Sequence, residues 1–277
     1  MTEPSLHRRL GMSDAVIIGL GSMLGAGIFV ALTPAAAAAG SALLIGLVIA
    51  AVVAYCNAMS SARLAAMYPV SGGTYVYGRE RLGDFWGYLA GWAFVVGKTA
   101  SCAAMALTVG LYAWPAHAHV VAVAAVVALT AVNYVGVQKS AWLTRAIVAV
   151  VLMVLTVVVV TTLASDAGSV DSLEVGSDAR VTGILQSAGI LFFAFAGYAR
   201  IATLGEEVRE PTRIIPRAIL VALGIALVVY ATVAATALWA LGASGLATAT
   251  APLAAMTQAA GAGWLTPIAV SYTHLRA

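Results

Sequence analysis

A glycine-rich stretch inside a membrane-length apolar run constrains this chain more than any other feature. The run covers residues 15–32, and at ~1.5 Å per residue a helix of that length crosses most of a hydrocarbon core of ~30 Å. Inside it, GLGSMLGAGIF carries repeated glycines, each of which costs roughly 1 kcal/mol relative to alanine in a helix. We predict a membrane helix broken at Gly25-Ala26-Gly27, where backbone N–H and C=O groups face one polar space that suits a zwitterion.

A second interpretation of these glycines stays open and a third is excluded. Gly21-x-x-x-Gly25 is also a packing motif of membrane helices, so the glycines can equally mark a close helix contact. The spacing imitates a dinucleotide-binding loop, but no strand precedes it and no βαβ unit surrounds it. Backbone binding and helix packing therefore remain as alternatives.

Composition identifies the fold class as an all-α membrane protein. The chain is 62% apolar and only 9% charged, whereas about a quarter of the residues in soluble domains are charged. Seven apolar runs have the length of a spanning helix, at residues 15–34, 42–62, 85–113, 119–135, 146–163, 182–203 and 217–241. An eighth run over residues 251–270 is broken by prolines and glycines, which predicts a short surface helix and then the start of another span.

Basic residues sort the loops between the two sides of the membrane. With a cytoplasmic N-terminus, arginines and lysines fall in cytoplasmic loops, and Arg180 alone lies in an outer loop. This pattern predicts a multi-pass protein of the cell membrane, surrounded by the lipid bilayer. The net charge of +3 reflects the same bias and not a nucleic-acid surface.

Other chemistry finds little support in the sequence. Gly97-Lys98-Thr99 resembles the end of a phosphate-binding loop, but the preceding glycine is wrongly spaced and no strand comes before it, so any transport is secondary. His117 and His119 lack a third ligand, and no deep cluster of His, Asp or Glu supports an intramembrane enzyme. We expect no metal site and no cofactor.

A polar connector divides the chain into two halves that begin alike. Residues 165–180 are rich in Asp, Ser and Gly and predict a flexible, hydrated loop. The second half opens with FFAFAGYARIATLGEEVREPTRIIPRAI, and its first span is interrupted at Gly197 much as the first span of the chain is at Gly25. Paired broken spans are a sequence indication of a transporter site.

Four sequence motifs, in order along nearly the whole chain, resemble the amino acid permeases of the amino acid–polyamine–organocation superfamily. They are Leu10-Gly11 with Asp14, then GLGSMLGAGIF, then YPVSGGTYVYGRERLG with Gly91-Trp92, and finally FFAFAGY with GEEVREPTRIIPRAI. The resemblance implies a leucine-transporter-type fold of two inverted five-helix repeats. It also implies a secondary transporter that imports or exchanges amino acids by alternating access.

The resemblance implies a substrate site made mostly of backbone. Amides at Gly25, Ala26 and Gly27 would hold the carboxylate of an amino acid, and carbonyls at Met23 and on the second broken helix would receive its ammonium group. Phe193 matches an aromatic lid, and Tyr198 either lines the site or packs beside it. The implied substrate-binding set is Met23, Gly25, Ala26, Gly27, Phe193, Ala194, Ala196, Gly197 and Tyr198.

The sequence departs from the family pattern in its second half. We divide it into a first repeat (residues 1–164), an extracellular connector (165–181), an incomplete second repeat with the start of an eighth helix (182–270) and a non-native tail (271–277). Incompleteness leaves a rival function open, a truncated membrane stub that does not transport and only packs with partner helices. The substrate, the coupling ion (H⁺ or Na⁺) and the oligomeric state stay open.

Two sets of charged residues are functional candidates. Lys98 lies about 20 Å along the third span, where a lysine costs on the order of 3 kcal/mol to insert. We predict that it takes part in proton coupling in place of the fifth-span lysine of some relatives, a position held here by Val151. The alternative is a structural lysine that caps carbonyls of a neighbouring broken helix. Arg200 lies near the inner end of its helix and is either an interfacial arginine or part of a cytoplasmic gate, in which it pairs with Glu206, Glu207 or Asp14.

Overall fold

The computed structural model describes residues 10–70, 72–134, 141–176 and 179–262, which are helical almost throughout. The α-helices are α1 (Met12–Met23), α2 (Ala26–Val30), α3 (Leu32–Ala39), α4 (Leu43–Met67), α5 (Thr74–Leu82), α6 (Asp84–Ala113), α7 (Ala118–Tyr134), α8 (Ala141–Leu163), α9 (Val181–Phe195), α10 (Ala199–Ala202), α11 (Pro211–Thr248) and α12 (Pro252–Ala259). Short 3₁₀ turns join several of them. We call the end of the bundle at which α1 begins the N-terminal end, and the other the opposite end.

Within the described residues, six helical segments are long and apolar enough to cross a membrane. They are Met12–Val30, Leu32–Met67, Asp84–Ala113, Thr144–Leu163, Val181–Ala202 and Pro211–Thr248. The fourth of the seven expected spans falls on α7, whose apolar helix is shorter over the part of the chain that the structure describes. The all-α membrane class is therefore confirmed, with six long spans and one short apolar helix in place of seven equal spans.

Small residues let the central helices approach closely. On α4, buried alanines recur every four residues at positions 50, 54, 58 and 62, and α4 packs against α9 and α11. At Gly46 on the same helix, an added Cβ would lie 2.8 Å from the Ser187 hydroxyl oxygen on α9. Close approach of this kind is how membrane helices gain packing energy without large apolar side chains.

The first broken helix is interrupted where its glycines predicted. Helix α1 ends at Met23, Leu24 (ψ 63°) and Gly25 (φ −125°, ψ −147°) leave the helical region, and α2 begins at Ala26. Ala31 keeps helical angles between α2 and α3, so the second half of the span runs to Ala39. The break is therefore two residues long and re-aims the rest of the helix.

The second break is milder than the resemblance implied. Helix α9 ends at Phe195, a 3₁₀ turn covers Ala196–Tyr198, and α10 follows at once. Phe195, Ala196 and Ala199 all keep right-handed helical angles. The interruption lies at Gly197 as predicted, but it is a tight 3₁₀ turn and does not leave the helical region as the break at Gly25 does.

Polar ties cover the N-terminal end. Leu10 pairs with the segment after α10, with its N–H donating to the Glu207 carbonyl (3.0 Å) and its carbonyl accepting from the Arg209 N–H (3.0 Å). The buried Tyr77 on α5 donates to the Ala202 carbonyl (3.3 Å), and burial raises the pKa of Tyr77 to about 12, so the hydroxyl keeps its proton. Helix α5 is therefore held against this end of the bundle.

The connector at the opposite end is docked and not a loose loop. Its 3₁₀ turn (Val170–Leu173) packs on α11, where the Ser169 N–H donates to the Trp239 carbonyl (3.1 Å). The Ser41 hydroxyl donates to the Glu174 carbonyl (2.6 Å). The prediction of a flexible connector is therefore wrong, because a connector N–H donates to a helix carbonyl and a connector carbonyl accepts from the Ser41 hydroxyl.

Helix α11 is kinked near the opposite end, and α12 follows it as the expected short helix. Gly242 interrupts α11 with φ +64°, a backbone conformation that favours glycine. The predicted start of an eighth helix and the predicted tail at 271–277 lie outside the described residues. The division into two repeats stays a prediction.

Candidate functional site

A cavity of about 260 Å³ lies where the two broken helices meet. Helices α1 and α2 supply one wall, α6 another, and α9 with its 3₁₀ turn the third. The lining residues are Ser22, Met23, Gly25, Gly27, Ala93, Phe94, Gly97, Lys98, Ser101, Met105, Phe193, Ala194, Ala196, Gly197 and Ala199. Most of the predicted substrate-binding set therefore lines a single cavity.

Two glycines allow the two breaks to pack closely, with Gly27 facing α9 and Gly197 facing α1. A Cβ added at Gly27 would lie 2.4 Å from the Ala194 Cβ and 2.6 Å from its Cα, and a Cβ at Gly197 would lie 2.5 Å from the Ser22 carbonyl carbon. The contacts run in opposite chain directions, as they must for antiparallel helices. Gly27 and Gly197 therefore line the cavity and also permit the close crossing of the two helices.

Tyr230 ties the two breaks together and was missed by the sequence analysis. Its hydroxyl on α11 lies 2.6 Å from the Met23 carbonyl and 2.9 Å from the Ala194 carbonyl, and its ring packs edge-on against Phe195. The side chain is 2% exposed. A buried tyrosine hydroxyl needs a partner, and a tyrosine in the middle of an apolar span was the available sequence signal.

This tie corrects the predicted ammonium site. The Met23 carbonyl accepts from the Gly25 N–H (2.6 Å) as well as from the Tyr230 hydroxyl, so both of its lone pairs are engaged within the protein. The Gly25 N–H is likewise used, and is not directed at a carboxylate in this conformation. Ala26 and Gly27 open α2, where first-turn N–H groups have no acceptor within the helix.

The two aromatic residues predicted to bind substrate, Phe193 and Tyr198, lie in different environments. Phe193 is 43% exposed and lines both the cavity and an adjoining apolar groove of about 430 Å³ between α2, α6 and α9, a position that fits a lid. Tyr198 is 4% exposed and does not line the cavity, and a side-chain hydrogen bond joins it to Ser61. The inclusion of Tyr198 in the binding set is wrong for this conformation, because the 3₁₀ turn directs it into the packing with α4.

Lys98 is the charged residue of the cavity. Among the described lining residues it is the one with an ionisable side chain, and its ammonium lies 5.7 Å from the centre of the Phe94 ring. Beside it, a Cβ added at Gly97 would meet nothing within 4 Å, so the cavity has open space at this point. At Val151, where relatives carry a lysine, the side chain is fully buried in the apolar core.

The gate candidates lie at the N-terminal end, away from the cavity. Asp14 forms an ion pair with Arg145 on α8 and accepts from the Gly11 N–H (3.0 Å), while Arg200 donates to the Thr203 hydroxyl (3.1 Å). Glu206 is partly buried, and the carbonyl of Glu207 accepts from Leu10. The predicted pairing of Arg200 with Asp14 is wrong here, because Arg145 occupies that carboxylate.

Comparison with known proteins shows similarity to amino acid permeases and other transporters. The family model for amino acid permeases matches residues 10–274. An uncharacterized transporter of Mycobacterium tuberculosis is 72% identical over 263 residues, which are 95% of this chain and 60% of that protein. The branched-chain amino acid permease BcaP of Bacillus subtilis is 27% identical over 96% of this chain and 62% of its own length, and cationic amino acid transporter 4 of Mus musculus is 29% identical over 81% and 39%. The chain thus spans about 60% of the length of the mycobacterial relative.

Proposed function

The chain belongs to the amino acid permease family, and from this membership we propose that the protein is a secondary active transporter that carries amino acids across the cell membrane by alternating access. The observation that carries the proposal is the cavity at the meeting point of the two broken helices. Backbone polar groups at membrane depth are tolerated only where protein covers them or where they line a cavity, and in carriers such breaks form the substrate site.

The proposed substrate position uses backbone groups on both breaks. The α-carboxylate would accept from the N–H groups of Ala26 and Gly27, which begin a helical stretch that continues to Ala39. The α-ammonium would donate to carbonyls at the end of α9, such as those of Phe193 and Ala196, because the last carbonyls of a helix lack their full set of partners within it. This arrangement binds the part common to all amino acids and leaves the side chain for α6 to recognise.

We further propose that the N-terminal end is cytoplasmic and contains the inner gate. Arg145 with Asp14, the Leu10 pairing and the Tyr77 bond would then close the inner path and separate when the carrier opens inward. Arg200, Glu206 and Glu207 border the same region and remain proposed gate residues.

The test blocks the cavity without disturbing the fold. Gly97→Leu places a large side chain in open space inside the cavity, whereas Gly224→Leu on α11 makes the same change at an exposed position that also has nothing within 4 Å. The parent protein and the two variants are each reconstituted in liposomes, and saturable uptake of radiolabelled amino acids is measured. We expect uptake by the parent and by Gly224→Leu, and none by Gly97→Leu. Equal uptake by both variants, or no uptake of any amino acid by the parent, would contradict the proposal.

A further inference from the structure

We propose that Lys98 makes this cavity selective for amino acids with an anionic side chain. This inference rests on the proposed function and adds the class of substrate. It begins from the charges around the cavity. The walls are apolar side chains, backbone and the serines Ser22 and Ser101, and Lys98 supplies the one formal charge among the described lining residues.

Lys98 lacks an anionic partner within the described chain. It forms no ion pair and no hydrogen bond with any described residue, and its recorded contact is the cation–π interaction with Phe94, which itself lines the cavity. A cation inside a membrane protein is costly unless an anion or an aqueous cavity compensates it. An anion that enters the cavity would supply that compensation directly.

The backbone groups of the breaks account for the rest of the substrate. The α-carboxylate and the α-ammonium of an amino acid are proposed to pair with the ends of α2 and α9, which leaves Lys98, on a third helix, for the side chain. Open space beside Lys98 at Gly97 gives a side chain room to reach the ammonium. A side-chain carboxylate would form a charge-assisted hydrogen bond there, whereas a lysine or arginine side chain would meet a like charge.

The experiment compares three ligands of similar size on the protein in lipid nanodiscs at pH 7. L-Glutamate and L-glutamine differ in side-chain charge at nearly the same shape, and L-lysine carries the opposite charge. We expect L-glutamate to bind about ten- to a hundredfold more tightly than L-glutamine, the range for a hydrogen bond to a charged group, and L-lysine to bind most weakly.

Variants then assign the preference to Lys98. Lys98→Met should remove the preference for L-glutamate and leave the affinity for L-glutamine within about twofold, while Lys98→Arg should retain the preference because the charge is kept. Arg63→Met removes an exposed cation from α4, outside the cavity, and should leave all three affinities unchanged. Size-exclusion profiles check that each variant is folded.

Different outcomes separate this inference from the proposed function. Equal affinities for L-glutamate and L-glutamine in the parent would overturn the inference and leave amino acid transport intact. If Lys98→Met weakens the binding of L-glutamate and L-glutamine equally, Lys98 binds the α-carboxylate that both share. That result would also overturn the inference. If no amino acid binds at all, the proposed function itself fails.

Discussion

At the scale of single residues, two buried hydroxyl groups have opposite situations. Tyr230 bonds to a carbonyl on each broken helix, whereas the Ser187 hydroxyl, fully buried on α9, has no described partner. A buried polar group without a partner costs about 1–3 kcal/mol, and a satisfied one stabilises by about 1 kcal/mol. One hydroxyl therefore supports the site and the other weakens the bundle.

We predict that Tyr230→Phe weakens both stability and substrate binding. Loss of the hydroxyl leaves the Met23 and Ala194 carbonyls without their shared donor, so the melting temperature should fall by about 2–4 °C and the affinity for substrate should fall as well. Tyr112→Phe is the matched control, because Tyr112 is equally buried and donates to the Phe29 carbonyl (3.0 Å) outside the cavity. Tyr112→Phe should lower the melting temperature and leave the affinity for substrate unchanged. An unchanged affinity in Tyr230→Phe would show that the tie does not position the site.

Ser187→Ala should leave stability unchanged or raise it by up to about 1 kcal/mol. The substitution removes a buried hydroxyl that has no described hydrogen-bond partner, so its desolvation cost is lost as well. Ser41→Ala is the comparison, since the Ser41 hydroxyl holds the connector through Glu174 and its loss should be destabilising. Thermal unfolding of the purified variants measures both, and a clear loss of stability in Ser187→Ala would indicate a partner for that hydroxyl.

At the scale of elements, the two broken helices differ in what the sequence could reveal. The glycines in GLGSMLGAGIF predicted the first break within a residue, because glycine is the least favourable common residue in a helix interior after proline. The second break contains one glycine, and its 3₁₀ geometry depends on packing against α1 that no local pattern encodes. The hydrogen bonds of Tyr230 could not be predicted from the sequence either, because they depend on how α11 is rotated relative to both breaks.

The crossing of the breaks gives a prediction at this scale. Gly27→Ala should destabilise the protein by about 1–3 kcal/mol, because the new methyl group would overlap with Ala194 and force α2 away from α9. Gly97→Ala adds the same methyl group in the same cavity, but in open space, and should have little effect. Differential scanning fluorimetry in detergent compares the two, and equal melting temperatures would mean that the crossing is not tight in the membrane.

At the scale of the whole molecule, the two ends of the bundle are covered by different kinds of contact. Charged and strand-like contacts cover the N-terminal end, and the docked connector covers part of the opposite end. The class of the spans and their order along the chain followed from the apolar runs. Their number did not, because seven spans were predicted and the described residues contain six long spans and the shorter α7. The contacts that cover the ends could not be predicted from these runs, since they join residues far apart in sequence.

The orientation of the bundle can be tested by chemical labelling. In a background with Cys56→Ala and Cys102→Ala, single cysteines are introduced at Val175 in the connector and at Glu210 before α11, both of which are exposed. If the N-terminal end is cytoplasmic, a membrane-impermeant maleimide added to intact cells should label Val175→Cys, and should label Glu210→Cys only after permeabilisation. The reverse pattern would invert the proposed orientation.

The reciprocal glycine contacts have one more consequence, which concerns epistasis between distant positions. Gly27 rests on α9 and Gly197 rests on α1, so either substitution spreads the same crossing. Once one glycine is lost and the helices have separated, losing the other should cost less than it does alone, and the double mutant should be more stable than the sum of the single effects implies. Mutational drift would therefore tend to retain both glycines or replace both, and the two halves of the chain would evolve at this point as a single unit.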